Sequence, residues 1–211
     1  MRHWPLTALV LTTPDLTLRL PTDSELDELA QVAADGIHPD DEVCFPQPWA
    51  TGPPSLRARR VLQNHWWARG DWERDNWRLL LAVFRGDEVI GQQNLSARNF
   101  TLTQEARTGF WLGQEFQRQG YGTQMRAAAL TLAFEGLNAL RVTSTAFASN
   151  TASRAVSRKF GYRANGVHRV AVGADVIDAH EEVIERADWR LLSAGFPVTI
   201  HGMPACLSCF Q

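Results

Sequence analysis

The residues best suited to chemistry form one short segment, Gln117-Arg118-Gln119-Gly120-Tyr121-Gly122. The segment follows a predicted strand with the sequence Phe110-Trp111-Leu112 and precedes an apolar helical pattern that starts at Thr123. The first N–H groups of a helix have no acceptor within the helix, and the helix dipole places about half a positive charge there. Glycines without Cβ atoms let an anion approach the backbone closely. The segment therefore predicts a phosphate site, although the same glycines would also serve simply to turn the strand into the helix.

Two other kinds of phosphate-binding loop fit this segment less well. A dinucleotide-binding turn requires G-x-G-x-x-G, and Met125 occupies its third glycine position. A P-loop requires Gly-Lys followed by Ser or Thr, which does not occur in this sequence. The pattern therefore favours neither of these nucleotide sites.

Hydrophobic patterning predicts strands and helices in alternation around this segment. Leu16 to Leu20 alternates as a strand, and Thr22 or Asp23 begins a helix that Gly36 ends. The later predicted elements are a helix at 55–70, a hairpin of strands 79–84 and 89–95, a strand at 108–113, a helix at 123–137, a strand at 141–147, a helix at 150–159 and a hairpin at 167–184. Hairpins beside strand–helix–strand units predict an α/β (α+β) fold with a mixed sheet and helices on both faces.

The composition limits the classes of protein to which this chain can belong. The 211 residues are 45% hydrophobic and 21% charged, which predicts one globular domain, residues 1–195, followed by a C-terminal tail, residues 196–211. The net charge of −2 without clustered Lys or Arg argues against nucleic-acid binding. No segment approaches the roughly 20 apolar residues of a membrane span, so we expect no membrane partner and a cytoplasmic location.

Three cysteines, Cys44, Cys206 and Cys209, are too few for a disulfide framework. The C-x-x-C at Cys206 and Cys209 lacks the second pair that a structural zinc requires. We therefore expect no metal, and a surface tail with two free thiols.

Two motifs at the right separation resemble the GNAT family of N-acetyltransferases. The segment 117–122 matches the signature [QR]-x-x-G-x-[GA]. Asn150-Thr151-Ala152-Ser153, followed by Arg158-Lys159-Phe160-Gly161-Tyr162, is similar to the family's N-x-x-[AS]…K-x-G-[FY] run. The chain resembles the RimJ/RimL-like branch most, and within it actinobacterial members, through Arg2-His3-Trp4-Pro5-Leu6, Thr12-Thr13-Pro14 and Trp111-Leu112-Gly113. The resemblance extends from residue 2 to about Trp189.

This resemblance implies an acyl-CoA-dependent N-acyltransferase with the GNAT fold, in which a mostly antiparallel sheet splays between strands 108–113 and 141–147 around the acyl-CoA. The co-substrate would be acetyl-CoA or another acyl-CoA such as succinyl-CoA. Backbone groups of Phe110, Trp111, Leu112 and Gly113 would contact the pantetheine arm. The pyrophosphate would lie in a cradle of Gln117, Arg118, Gln119, Gly120, Tyr121, Gly122 and Thr123, where Arg118 would add a charge-assisted contact. Asn150 and Ser153 would lie near the pantetheine.

The implied reaction is direct attack of a neutral amine on the thioester carbonyl, with a backbone N–H of Leu112 or Gly113 stabilising the oxyanion. Many family members carry a Tyr where this chain has Ser157. Ser153, at the position of the usual Ser in this branch, is therefore the first candidate to hydrogen-bond the CoA sulfur, and Ser157 is the second. Ser153 would serve equally well in helix capping, because it lies three residues after Asn150.

No general base stands out among the three possible residues, Glu105, Glu115 and His180. Each residue type is more often a solvated surface group. Glu105 is favoured because it lies just before the core strand.

The acceptor side is expected to lie in the Pro-rich segment 38–54 and the Trp-rich segment 55–77, where the family places its lid. Four tryptophans there would line a pocket or an interface, or would pack in the core: Trp66, Trp67, Trp72 and Trp77. For Trp67 and Trp77 we expect core packing. The acidic run Asp40-Asp41-Glu42 would attract a cationic amine, or would be a solvated loop.

The acceptor is expected to be a primary amine of a protein N-terminus, a lysine or a small molecule, and the family suggests a homodimer or higher homo-oligomer. Two alternatives stay open. A non-catalytic CoA-binding sensor or interaction module would explain the missing Tyr. An antibiotic-modifying acetyltransferase would share the same fold.

Overall fold

The computed structural model describes residues 1–39, 44–45, 48–172 and 175–210. The strands in these residues are β1 (Val10–Thr12), β2 (Thr17–Arg19), β3 (Trp77–Arg85), β4 (Glu88–Ala97), β5 (Glu105–Leu112), β6 (Arg141–Phe147), β7 (Arg163–Val172), β8 (Asp175–Glu185) and β9 (Thr199–His201). They form one sheet in the order β7-β8-β6-β5-β4-β3-β2-β1-β9.

The helices are α1 (Asp23–Asp35), α2 (Pro54–Gly70), α3 (Phe100–Thr103), α4 (Tyr121–Thr131), α5 (Thr151–Lys159), α6 (Arg186–Leu192) and α7 (Met203–Cys206). The predicted start of α1 is confirmed, because the Thr22 side chain accepts from the Glu25 N–H while the Glu25 side chain accepts from the Thr22 N–H. A π turn, Leu132–Gly136, extends α4 to the predicted length. Among the described residues, no helix has the length and apolar character needed to cross a membrane.

The sheet is mixed and mostly antiparallel, and its one parallel pair among the described strands is β5 with β6. That pair is short: its register contains only Glu105↔Arg141, Ala106↔Val142 and Arg107↔Thr143. Beyond this point β5 remains paired with β4 and β6 remains paired with β8. The two central strands therefore separate, as expected, and leave a gap between their carboxyl ends.

Helices cover both faces of the sheet, as predicted. On one face α4 contributes Met125 and Leu130 to a large apolar cluster that also contains Leu112 and Val142. On the other face α1 and α2 pack against β3 and β4 in a second cluster that includes Trp111. Since β5 lies in the middle, its alternate side chains reach both layers.

The segment expected to be a surface tail packs into the molecule instead. β9 extends the sheet by pairing with β1, with Leu11 opposite Ile200. Cys206 and Phe210 are fully buried, and the Phe210 ring lies against Trp72 and Trp77. The physical reason is that β1, a three-residue strand absent from the predicted elements, offers an edge that β9 covers.

The tryptophans divide differently from the prediction. Trp77 is 2% exposed, as expected, but Trp66 and Trp67 are 55% and 63% exposed. The expectation that Trp67 packs in the core is therefore wrong. Its ring instead lies under the guanidinium of Arg78, 4.2 Å from ring centroid to Cζ.

His65 on α2 gives the fold a pH-dependent stability. Its ring is buried, and Nε2 lies 2.8 Å from the Gln92 side-chain oxygen on β4. Burial lowers the pKa of His65 from 6.5 to about 4. Between these pH values the unfolded chain binds a proton at His65 that the folded chain does not. The contribution of neutral His65 to the free energy of unfolding is therefore fully present above pH 6.5 and is lost as the pH falls towards 4. We expect a loss of up to about 3 kcal/mol in the free energy of unfolding across this window.

Urea unfolding at a series of pH values measures how the free energy of unfolding depends on pH. His65→Gln should make this dependence weaker between pH 6.5 and 4.5. Glu25→Gln is the matched control, because Glu25 affects stability in a lower pH range. The hydrogen bond that the Glu25 carboxylate accepts from Arg19 lowers its pKa from 4.5 to about 2. Stability from that carboxylate is present above pH 4.5 and is lost between pH 4.5 and 2. An unchanged slope in His65→Gln would contradict the assignment.

Candidate functional site

A groove of about 680 Å³ opens beside the gap between β5 and β6. Four segments of the described chain border it: 37–39 with 44–45, 110–112, 114–123, and 149–159. The predicted site residues that line it are Phe110, Trp111, Leu112, Gln117, Arg118, Gly120, Gly122, Thr123, Asn150 and Ser153. Segments remote in the sequence therefore meet at one surface.

The first turn of α4 forms the floor of the groove and is not capped by a side chain. Arg118 and Gly120 both have positive φ angles, 61° and 89°, which fold the turn before the helix. A Cβ built at Gly120 would meet no atom within 4 Å, so the turn faces open space. A helix start with this geometry presents N–H donors and the positive end of its dipole to the groove, which is what an anion requires.

Gly122 has a second reason to lack a side chain. A Cβ there would lie 3.0 Å and 3.4 Å from two ring carbons of Phe110 and 3.8 Å from Val156. The glycine therefore lets the Phe110 ring pack against the helix start as well as keeping the groove clear.

The backbone of β5 provides donors on the side of the gap. The Gly113 N–H already donates to the Ile90 carbonyl of β4, at 3.0 Å, so the expectation that it stabilises an oxyanion is corrected. Successive N–H groups of a strand point to opposite edges. The N–H groups of Leu112 and Phe110 therefore point away from β4 and into the gap, where β6 no longer pairs with β5.

Three side chains of the predicted cradle are directed elsewhere. Gln117 Nε2 donates to the Ile37 and Leu112 carbonyls at 2.7 Å and 3.1 Å, and so ties the start of the α1–α2 connection to the end of β5. Gln119 Nε2 donates to the Glu115 carbonyl. The Tyr121 side chain is directed towards Arg85, and together with Glu88 it raises the pKa of that guanidinium. Gly113, Gln119 and Tyr121 are not among the groove-lining residues.

The start of α5 forms the opposite wall. Asn150 caps this helix, because its Oδ1 accepts from the Ser153 N–H at 3.1 Å. Asn150 is therefore the capping residue, and the Ser153 side chain lies at the groove. Ser157 lies one turn further along, is 1% exposed and does not line the groove.

The candidate bases are not brought to the groove. Glu105 is the first residue of β5, at the far end of the strand from Leu112, and its carboxylate lies 3.8 Å from Arg141. Glu115 and His180 do not line the groove either. Among the described lining residues none is acidic, whereas Arg118 and Lys159 are basic. The run Asp40-Asp41-Glu42 lies outside the described residues.

Two groups of lining residues were not predicted. Lys159, at the end of α5, reaches across to α4, with Nζ 3.4 Å from Thr123 Oγ1. It belongs to the K-x-G run, so its presence was visible in the sequence but its direction was not. The second is Phe45 in the expected lid segment 38–54, which packs on Trp49 at a centroid distance of 5.1 Å. Trp49 does not line the groove but packs on the lining residue Trp111, at 5.6 Å.

Comparisons with known proteins agree with this geometry. The model of the family described as Acetyltransferase (GNAT) domain matches residues 15–163. RimL, a ribosomal L7/L12 alpha-N-protein acetyltransferase solved in complex with coenzyme A, is 19% identical with a TM-score of 0.64, over 83% of this chain and 97% of that one. RimJ of Mycobacterium smegmatis, in complex with CoA-disulfide, is 18% identical with a TM-score of 0.66, over 90% and 96% of the two chains.

A third similar structure is a GCN5-related N-acetyltransferase from Brucella melitensis, at 19% identity and a TM-score of 0.68, which covers 88% of this chain and 82% of that one. At these identities the likeness of the solved structures shows the fold. The family match begins between β1 and β2 and includes every described segment that lines the groove.

Proposed function

The chain belongs to the GNAT family of acetyltransferases, and on that premise we propose that its groove binds an acyl-CoA and that the bound acyl group is transferred to a primary amine. The observation that carries this proposal is the uncapped start of α4 at the floor of a large groove without acidic lining among the described residues. Coenzyme A carries a diphosphate, and such a helix start is a site for phosphate groups.

Particular residues fit the parts of this co-substrate. The open first turn of α4 would hold the diphosphate with backbone N–H groups, and Arg118 and Lys159 would add charge from two sides. The outward edge of β5, from Phe110 to Leu112, would pair with the amides of the pantetheine arm as an added strand would. The acyl group is acetyl, or another short acyl such as succinyl.

The chain's own contribution to transfer is positioning and polarisation. The Leu112 N–H would donate to the oxygen that gains charge when a neutral amine attacks the thioester. The Ser153 hydroxyl would donate a hydrogen bond to the departing thiolate. Because the described lining residues include no carboxylate, we propose that the amine loses its proton to water.

The aromatic residues in and beside the expected lid segment, 38–54, support one class of acceptor. The aromatic residues Phe45, Trp49 and Trp111 form an apolar wall near the groove, against which an extended chain that carries the amine would pack. RimL is an alpha-N-protein acetyltransferase, which supports a protein N-terminus ahead of lysine or a small molecule as the acceptor. A cytoplasmic location and a homodimer or higher homo-oligomer are part of the same proposal.

The test is release of free CoA thiol when the protein is mixed with acetyl-CoA or succinyl-CoA and a panel of peptides, lysine and aminoglycosides. We expect release that depends on the amine. Ser153→Ala should lower kcat about 10- to 100-fold, because a hydrogen bond to a charged group is worth about 1.5–3 kcal/mol. Mass spectrometry of the acceptor identifies the acylated nitrogen.

Ser157→Ala is the matched control, since Ser157 lies on the same helix but outside the groove. It should retain activity within about threefold. An equal loss in both variants would remove the assignment to Ser153. Tight CoA binding without turnover for any amine would identify a non-catalytic module, and turnover of aminoglycosides alone would identify an antibiotic-modifying enzyme.

A further inference from the structure

Arg126 is a fully buried arginine near the groove, and the proposed chemistry does not use it. It lies on α4, and its side chain is 0% exposed. Its Cζ lies 5.4 Å from the ring centroid of Phe110 and 5.2 Å from that of Tyr162. None of its guanidinium nitrogens has a hydrogen-bond partner among the described residues.

Such a charge is costly in a folded protein. A buried guanidinium ion without a counter-ion loses its hydration and gains no interaction that replaces it. The two aromatic rings provide weak cation–π attraction only. The Tyr162 hydroxyl is close enough to interact electrostatically with Arg126, but it has no hydrogen-bond partner among the described residues. Among the described residues Arg126 therefore has no hydrogen-bonded anion, and the carboxylate that acts on Tyr162 from further away is that of Glu182.

The position of Arg126 relates it to the start of α4. Residues 122 and 126 are four apart, so they lie on the same helix face, one turn from each other. Helical side chains lean towards the N-terminus, which directs the guanidinium back towards Gly122. The Phe110 ring connects the two: its edge meets the space in front of Gly122, and Arg126 lies by the same ring. The charge is therefore directly behind the groove floor.

We propose that Arg126 is a buried positioning charge for the diphosphate of CoA, which it attracts through the first turn of α4 without touching it. This proposal rests on the proposed function, because it takes CoA as the ligand. In the free protein the uncompensated charge opposes folding. In the complex the diphosphate becomes its counter-charge, across a region of low dielectric where the attraction is strong. Removal of this charge should therefore raise the stability of the free protein and lower its affinity for CoA.

The experiment compares the wild type with Arg126→Met, which keeps the length and apolar contacts of the side chain but removes its charge. Isothermal titration should show affinity about tenfold lower for CoA, acetyl-CoA and succinyl-CoA alike. Binding of pantetheine, which has no phosphate, should be the same in both proteins. The midpoint of urea unfolding of the free variant should be higher than that of the wild type.

Two further variants keep the test decisive. Arg126→Lys retains the charge and should bind CoA within about threefold of the wild type. Arg190→Met removes an exposed arginine on α6 and controls for net charge. If Arg126→Met does not fold, weaker binding in Arg126→Gln that Arg126→Lys does not share provides the same comparison.

The outcomes separate this inference from the function on which it rests. A wild type that does not bind CoA removes both. A wild type that binds CoA, with Arg126→Met binding equally well, overturns the role of Arg126 alone. Weaker binding confined to succinyl-CoA also overturns it, because Arg126 would then contact the acyl carboxylate. Equal losses for pantetheine and CoA would show a role in packing instead.

Discussion

Gly122→Asp is expected to lower the affinity for CoA at least ~100-fold, the largest effect on binding that we predict. The new carboxylate would stand at the first turn of α4, where the diphosphate is proposed to bind. Two like charges about 5 Å apart repel by roughly 3 kcal/mol at an effective dielectric constant of about 20, which is about two orders of magnitude in affinity. The added Cβ would also press on Phe110, 3.0 Å away.

Gly122→Ala separates the charge from the bulk, because it adds the same Cβ without the carboxylate. We expect this variant to lose no more than about tenfold, by displacing the Phe110 ring. Gly120→Ala is a second comparison: it meets no atom within 4 Å but strains a backbone held at a φ of 89°. It should lower stability by about 1 kcal/mol.

Titration calorimetry with CoA measures all three variants, and circular dichroism checks that each is folded. Equal affinities of Gly122→Asp and the wild type would remove the diphosphate from the start of α4. Equal losses in Gly122→Asp and Gly122→Ala would show that the space for Phe110, and not the charge, decides the effect.

Phe210→Ala is expected to lower the free energy of unfolding by about 3–5 kcal/mol, the largest effect on stability that we predict. The ring is fully buried, and its centroid lies 5.3 Å from that of Trp72 and 5.0 Å from that of Trp77, both edge to face. The Trp72 indole N–H also donates to the Cys209 carbonyl at 3.0 Å. Removal of the ring leaves a cavity between two tryptophans that cannot close it.

Leu207→Ala is the control in the same segment, since Leu207 is 38% exposed. It should cost less than about 1 kcal/mol. Urea unfolding followed by tryptophan fluorescence measures both variants. A cost for Phe210→Ala no greater than that for Leu207→Ala would show that the C-terminal segment does not stabilise the domain.

The prediction of the fold from sequence succeeded where long periodic patterns exist. The helices α1 and α2, the hairpin of β3 and β4, and the strand β6 lie at or close to their predicted bounds. Their capping residues and apolar spacing decide local structure without help from distant residues. The strands β1 and β9 were not predicted, because three residues hold too little pattern to distinguish a strand from a loop.

Burial was less predictable than secondary structure. Trp67 was expected in the core and is exposed, whereas Cys206 and Phe210 belong to a segment expected on the surface and are buried. Residue type sets only a preference for the interior. Which face of α2 meets the sheet, and which segment covers Trp72 and Trp77, depends on how the elements pack.

For the candidate site, the sequence by itself determined the segment that starts α4: glycines after a strand and before an apolar helix form a helix start that can receive a phosphate. It also supplied the family resemblance and the candidate Ser153. Only the tertiary structure decided which groups meet there. It directed Gln117 towards Ile37, brought Lys159 across to α4 and placed Glu105 at the far end of β5. It also buried Arg126 without a hydrogen-bond partner among the residues that the structure describes. The physical reason is that backbone geometry is local, whereas the direction, burial and counter-charge of a side chain are set by neighbours far away in the sequence.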